Sequence, residues 1–225
     1  MSNTQANTPI KPTGKDFGQT GKFVLDNQKS LVFISAAIVL LTLGYFSYQK
    51  FYLAPREVEA TNQMFVAQDF WEKKDWDKAI KGDAGYPGFE KIISEYGNTK
   101  AANLAYFYLG TAYLNKGEYR KAIDNLTSFR GDDNVVASEA LGETGDAYVE
   151  LKEYSKAETY FQKAADKAKN NFNSPFYLKK LGLVFEAEND LKSAIDTYKK
   201  IKTDYPQSAE AQVAEEYIAR AEAKL

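Results

Sequence analysis

Gly110-Thr111-Ala112-Tyr113-Leu114-Asn115-Lys116-Gly117-Glu118-Tyr119-Arg120-Lys121-Ala122-Ile123-Asp124-Asn125-Leu126-Thr127-Ser128-Phe129 decides the fold, because its spacing recurs twice more. An aromatic stands three residues after the glycine, an alanine twelve after, a large apolar residue sixteen after and another apolar residue nineteen after. The later copies are Gly145, Tyr148, Ala157, Phe161, Ala164 and Gly182, Phe185, Ala194, Tyr198, Ile201. The glycines lie 35 and 37 residues apart, close to the period of solenoids built from stacked helix pairs. Glycine inside a helix costs about 1 kcal/mol relative to alanine, so three at equivalent places imply close helix approach. A large residue (Tyr119, Tyr154, Leu191) precedes each alanine by three and caps the link between the paired helices.

A degenerate fourth copy lies upstream, with Ala67, Phe70, Trp76, Ala79, Phe89 and Ile92 in the same order. Six extra residues separate Ala79 from Phe89, and the run Gly82-Asp83-Ala84-Gly85-Tyr86-Pro87-Gly88 reads as an inserted loop. Residues 208–225 read as an Ala-rich amphipathic helix with Ala211, Ala214, Tyr217, Ile218 and Ala221 on one stripe. Such a helix covers the open apolar face that ends a solenoid.

This pattern resembles the tetratricopeptide repeat (TPR) family. The expected fold is all-α: an N-terminal transmembrane helix, then a solenoid of about four helix pairs and a capping helix. The expected divisions are a divergent repeat at 57–99, repeats at 103–137, 138–174 and 175–207, and the cap at 208–225, all within a domain spanning 54–225.

The N-terminus differs in kind. Residues 1–29 are polar and read as a disordered tail. Ser30 to Gln49 then carries no charge over twenty residues, and an anchor is expected over 30–53. Tyr45, Tyr48, Phe51 and Tyr52 gather at its far end, where aromatic rings favour the membrane interface. A cleaved signal peptide and a buried helix compete with this reading. Against the first, the leading polar region is long and no small-residue cleavage site follows. Against the second, the rest of the chain closes its own core. Four lysines against two aspartates give the tail a balance of +2, and 25 basic against 29 acidic residues give the remainder −4. By the positive-inside rule the tail is expected in the cytoplasm and the solenoid outside the membrane.

The chain has no Cys and no His. Thiolate and imidazole chemistry, zinc sites and redox dithiols are therefore unavailable, and so is the acylated cysteine of lipoproteins. Asp132 and Asp133 lie in a Gly-Asp-Asp-Asn run that reads as a solvated turn. No enzyme, cofactor, metal, nucleic acid or small-molecule substrate is expected; the partners are proteins and, through 30–53, membrane lipid.

The TPR resemblance implies a concave groove lined by the first helix of each pair. Its positions fall on Met64, Gln68 and Trp71; on Leu104, Phe107, Thr111 and Leu114; on Glu139, Asp146, Val149 and Glu150; and on Phe176, Lys179, Leu183 and Glu186. Acids stand where carboxylate-clamping TPR domains carry Lys, Arg and Asn, so a hydrophobic or basic segment suits this groove better. The alternative is that Leu104 and Phe107 only pack against the neighbouring helix. The inserted loop 81–88 is a second candidate contact.

The whole architecture resembles the YfgM-like family, ancillary proteins of the bacterial inner membrane, most specifically at the junction Gly44-Tyr45-Phe46-Ser47-Tyr48-Gln49-Lys50-Phe51-Tyr52. That resemblance implies association with the Sec translocon and with a membrane-anchored, prolyl-isomerase-like chaperone. An assembly scaffold of another envelope or secretion complex is the competing reading.

Overall fold

A computed structural model describes residues 26–225. Most of the expected tail, residues 1–25, lies outside them. The chain divides between Tyr52 and Leu53 into two units, described in turn.

The first unit holds helix α1 (Gln28–Tyr48), followed by a π-helical turn at Gln49–Leu53. The helix begins two residues before the expected anchor, so Gln28 and Lys29 are helical. Its 21 residues, at 1.5 Å each, reach about 30 Å, the thickness of a hydrocarbon core. None of them is buried, and the mean hydropathy of its apolar window is 2.1. Its hydroxyls are satisfied within the helix: Ser35 donates to the Val32 carbonyl at 2.9 Å and Thr42 to that of Ile38 at 2.7 Å. A helix that is apolar all round and internally satisfied is long and apolar enough to cross a membrane. At its far end Tyr48 stacks on Tyr52 (5.2 Å between centroids) and Tyr45 meets Phe46 edge-on at 5.9 Å.

The second unit is a TPR-like helical solenoid. Its helices are α2 (Ala54–Glu72), α3 (Trp76–Lys81), α4 (Phe89–Tyr96), α5 (Lys100–Asn115), α6 (Tyr119–Ser128), α7 (Val136–Glu150), α8 (Tyr154–Ala168), α9 (Asn173–Ala187), α10 (Leu191–Asp204) and α11 (Ala209–Glu222). The pairs are α5/α6, α7/α8 and α9/α10, with α11 packed on α9 and α10. In the divergent unit α2 pairs with a second helix split into α3 and α4.

The repeated glycines mark the closest contact inside each pair. A Cβ on Gly110 would lie 2.5 Å from Leu126 Cγ, and one on Gly145 would lie 2.7 Å from the Phe161 ring. On Gly182 it would overlap the Tyr198 ring. The three partners are the residues sixteen positions after each glycine. Ala122, Ala157 and Ala194 on the second helices are fully buried at the same crossings.

Each pair turns through one left-handed residue: Lys74, Gly117, Lys152 and Asn189, with φ of 58°, 76°, 57° and 63°. The amide after it donates back to the carbonyl five residues earlier, Asp75 to Phe70, Glu118 to Tyr113, Glu153 to Tyr148 and Asp190 to Phe185, at 2.8–2.9 Å. This is the Schellman closure of a helix C-terminus.

The starts of α5, α7, α9 and α11 are capped in two ways. Thr99 and Ser208 cap α5 and α11 with their own hydroxyls, which accept from Ala102 N–H (3.0 Å) and Ala211 N–H (3.1 Å). Ahead of α7 and α9 the cap comes from an Asx turn: Asp133 accepts the amides of Val135 and Val136, and Asn170 those of Phe172 and Asn173. The inserted loop is a tight hairpin, bridged between Gly82 and Pro87 and pinned by Asp83, which accepts from the amides of Gly85 (3.0 Å) and Tyr86 (3.2 Å).

Gly145→Ala gains about 1 kcal/mol of helix propensity but forces the new methyl into Phe161, a clash of about 1–3 kcal/mol. The expected outcome is a lower urea midpoint. Gly85→Ala, whose Cβ meets nothing nearer than 3.9 Å, shifts the midpoint by less than about 0.5 kcal/mol equivalent.

Candidate functional site

The first helices of the pairs are tied to one another by polar contacts that step from repeat to repeat. Thr111 of α5 donates to Glu143 of α7 at 2.5 Å. Asp146 of α7 accepts from Lys180 of α9 at 2.7 Å through both carboxylate oxygens. Lys179 of α9 reaches Glu210 of α11 at 3.4 Å. Glu186, near the end of α9, accepts from Arg220 of α11, from Lys224 (3.1 Å) and from the Tyr198 hydroxyl of α10 (2.8 Å).

These ties redistribute the expected groove. Asp146, Val149 and Leu183 come together around a cleft of about 250 Å³ that Tyr154, Phe161 and Lys180 also line. Leu183 is 41% exposed and Phe176 37%. Lys179 and Lys180 both lie over the Phe176 ring, at 5.2 and 4.9 Å from its centroid. Leu104, Leu114 and Val149 are half-buried against the core.

Other expected positions turn inward. Met64, Phe107 and Thr111 are buried, and Phe107 packs against Tyr108 and Phe129. Trp71 sits in an aromatic cluster, edge-on to Tyr108 (5.2 Å) and Trp76 (6.1 Å), with its indole nitrogen buried. These side chains hold helices together, with Met64, Phe107 and Thr111 buried and Trp71 partly so. Glu186 is likewise no free groove acid, since its side chain is 7% exposed and spent on the α9–α10–α11 junction. Phe65 (74% exposed) and Val58 (62%) face solvent on α2 instead.

Helix α7 carries Glu139, Glu143, Asp146 and Glu150, four acids and no base. The spacing puts them on one stripe. Burial pushes the Glu143 carboxyl up to about 7; the Thr111 hydrogen bond opposes this, and the charges of Glu139 and Asp146 reinforce it. Asp146 is raised by burial in spite of Lys180. Glu186 behaves oppositely. Burial would raise it, but the hydrogen bonds from Arg220, Tyr198 and Lys224 and the Arg220 charge hold it at about 2.

The two carboxylates give opposite pH signatures. Glu143 titrates higher in the fold than its ordinary 4.5, so its ionisation opposes folding as pH rises from about 4.5 to 7. Glu143→Gln keeps an acceptor for Thr111 and is expected to raise stability at pH 8 with little effect at pH 4. Glu186 titrates lower, so its contribution is present above about 4.5 and fades toward about 2. Glu186→Gln is expected to cost roughly 1–3 kcal/mol at pH 7 and progressively less below pH 4.5. Urea melts across this range check both.

Comparison with known proteins agrees with this geometry. Tetratricopeptide repeat family profiles match residues 102–172 and 180–208. The uncharacterized protein ycf37 of Guillardia theta is 26% identical over 145 residues, 61% of this chain and 73% of its own length. A crystal structure of MamA protein matches 72% of this chain and 85% of its own with a TM-score of 0.54 at 23% identity. The nearly identical TPR-like repeats of a Podosopora anserina kinesin light chain match 72% and 85% with a TM-score of 0.56 at 12% identity. At these identities the structural likeness is one of fold. The chain is therefore similar to tetratricopeptide repeat proteins over residues 102–172 and 180–208, and it folds as a TPR-like helical solenoid.

Proposed function

We propose that this chain is a membrane-anchored TPR scaffold that holds partner proteins at the periplasmic face of a bacterial inner membrane. The observation that carries the reading is the union of two parts in one chain. One is a helix of 21 exposed, mostly apolar residues; the other is a TPR-like solenoid whose repeats leave an apolar cleft open at Val149 and Leu183, beside the Asp146–Lys180 pair. TPR repeats are protein-binding modules, and a helix like α1 costs free energy in water and gains it in lipid.

The finer reading follows the YfgM-like resemblance. Residues 30–53 are the anchor, residues 1–29 a cytoplasmic tail and residues 54–225 the periplasmic domain. Tyr45, Tyr48, Phe51 and Tyr52 lie at the interface. Leu104, Leu114, Asp146, Val149, Phe176, Lys179 and Leu183 form the partner face. The scaffold is an ancillary Sec translocon subunit that retains a membrane-anchored, prolyl-isomerase-like chaperone. Tethering raises the chaperone's effective concentration beside emerging chains without any new contact between them.

A mild-detergent pull-down of the C-terminally tagged full-length chain tests the reading. Stoichiometric recovery of translocon subunits with a periplasmic folding factor is the expected result. Recovery of a different envelope complex without translocon subunits replaces the Sec assignment by a general assembly scaffold. In intact spheroplasts, added protease is expected to degrade the solenoid; protection would invert the topology.

A further inference from the structure

Two consecutive repeats open their first helix with an Asx cap followed two residues later by an apolar residue. Asp133 and Asn170 are the caps, and Val135 and Phe172, already right-handed helical in backbone, stand just before α7 and α9. Of the other first helices, α5 and α11 start at Thr99 and Ser208, which are buried and cap with their hydroxyls. At 135 and 172 the Asx turns of Asp133 and Asn170 satisfy the helix amides, which releases the residue two positions on. Its side chain turns outward: Val135 is 58% exposed and Phe172 83%. The two runs, Asp133-Asn134-Val135 and Asn170-Asn171-Phe172, lie 37 residues apart, the same interval as Gly145 and Gly182. The device is therefore repeated at equivalent places in successive repeats.

Between the two tips lies a cleft of about 490 Å³, floored by Phe176 and Tyr177. Its charged lining is Glu139 and Glu210, with no lysine or arginine. Lys179 answers Glu210 from outside the cleft. Glu139 is paired with no basic side chain among the described residues; it is exposed at the surface, and partial desolvation by its neighbours raises its carboxyl. The cleft thus offers two exposed apolar tips, an aromatic floor and one uncompensated carboxylate.

We propose that this cleft docks a partner-protein segment bearing an apolar side chain and, within a few residues of it, a lysine or arginine. The apolar side chain would fill the space between Val135 and Phe172, and the cation would complement Glu139. The proposal rests on the reading of the solenoid as a protein-binding scaffold and specifies where it binds and what chemistry it selects. An anionic lipid surface fits less well, because Asp132, Asp133 and Glu139 all lie on or beside the tips.

The test places p-benzoylphenylalanine at position 172 of the full-length chain in its native membranes and, separately, at position 183 in the cleft near Asp146. After irradiation, adducts are mapped by mass spectrometry. The expected result is an adduct from 172 on a partner segment with an apolar residue flanked by Lys or Arg. Its yield should fall at least fivefold when Glu139→Lys, an exposed site, is introduced. The same segment, synthesised as a peptide, should bind the full chain at least tenfold more weakly when that substitution is present. An adduct from 172 with lipid or with a second copy of this chain, an acidic partner segment, or indifference to Glu139→Lys overturns the proposal. Protein adducts from 183 with none from 172 overturn it and leave the scaffold reading standing; none from either position overturns both.

Discussion

The approach of two helices at a glycine is the contact on which the solenoid depends. At Gly145 the backbone of α7 comes so near to Phe161 that no Cβ fits between them, and Gly110 and Gly182 repeat the arrangement against Leu126 and Tyr198. The resulting pair is narrow enough that alanines suffice at the second crossing point, and Ala122, Ala157 and Ala194 are fully buried there. A wider pair would leave cavities beside those alanines, each expensive in a close-packed interior. The spacing within each pair sets the spacing of the next, because every helix packs on its sequence neighbours. The Tyr198 ring that meets Gly182 also carries the hydroxyl that binds Glu186, so the same close approach places the junction that fastens α11.

Polar contacts add what apolar packing lacks, namely register between repeats. Thr111–Glu143, Asp146–Lys180 and Lys179–Glu210 join α5 to α7, α7 to α9 and α9 to α11 in sequence. Each is partly exposed and contributes modestly on its own. Together they consume groove charges that would otherwise be open to a ligand. What remains open is largely apolar, with Glu139 of α7 answered by no basic side chain among the described residues. That remainder is why the binding chemistry inferred for this face is apolar and cationic.

The sequence carried the repeat in full view, since glycine, aromatic and alanine at fixed offsets have one physical reading. The groove was harder to read. Periodicity puts Trp71 and Phe107 on the stripe expected to line a groove, but Phe107 is buried, α2 lies beside a split partner helix, and Trp71 turns toward Tyr108 to fill the space. The tie of Lys180 to Asp146 is not legible in sequence, because it requires knowing which way α9 is rotated. The left-handed turns were legible only at Gly117. Lys74 and Lys152 adopt the same backbone without glycine's freedom, held there by the Schellman hydrogen bonds. The tips at Val135 and Phe172 were overlooked because Asp132 and Asp133 read as an ordinary solvated turn. The signal was the recurrence of Asx-Asn-apolar at 133–135 and 170–172, visible once the two repeats are aligned.

The hairpin at Gly82–Gly88 changes how the divergent repeat can vary. Ile80 and Phe89, on either side of it, are both buried in the common core, so the helix resumes its packing as though uninterrupted. The two glycines bring the backbone so close that a side chain on either would collide with the chain opposite. Loop-closure entropy grows only with the logarithm of length, so residues between such a clamp add little free energy. The repeat therefore contains a port: a position where sequence can be lengthened, exchanged or labelled while the core on both sides keeps its alignment.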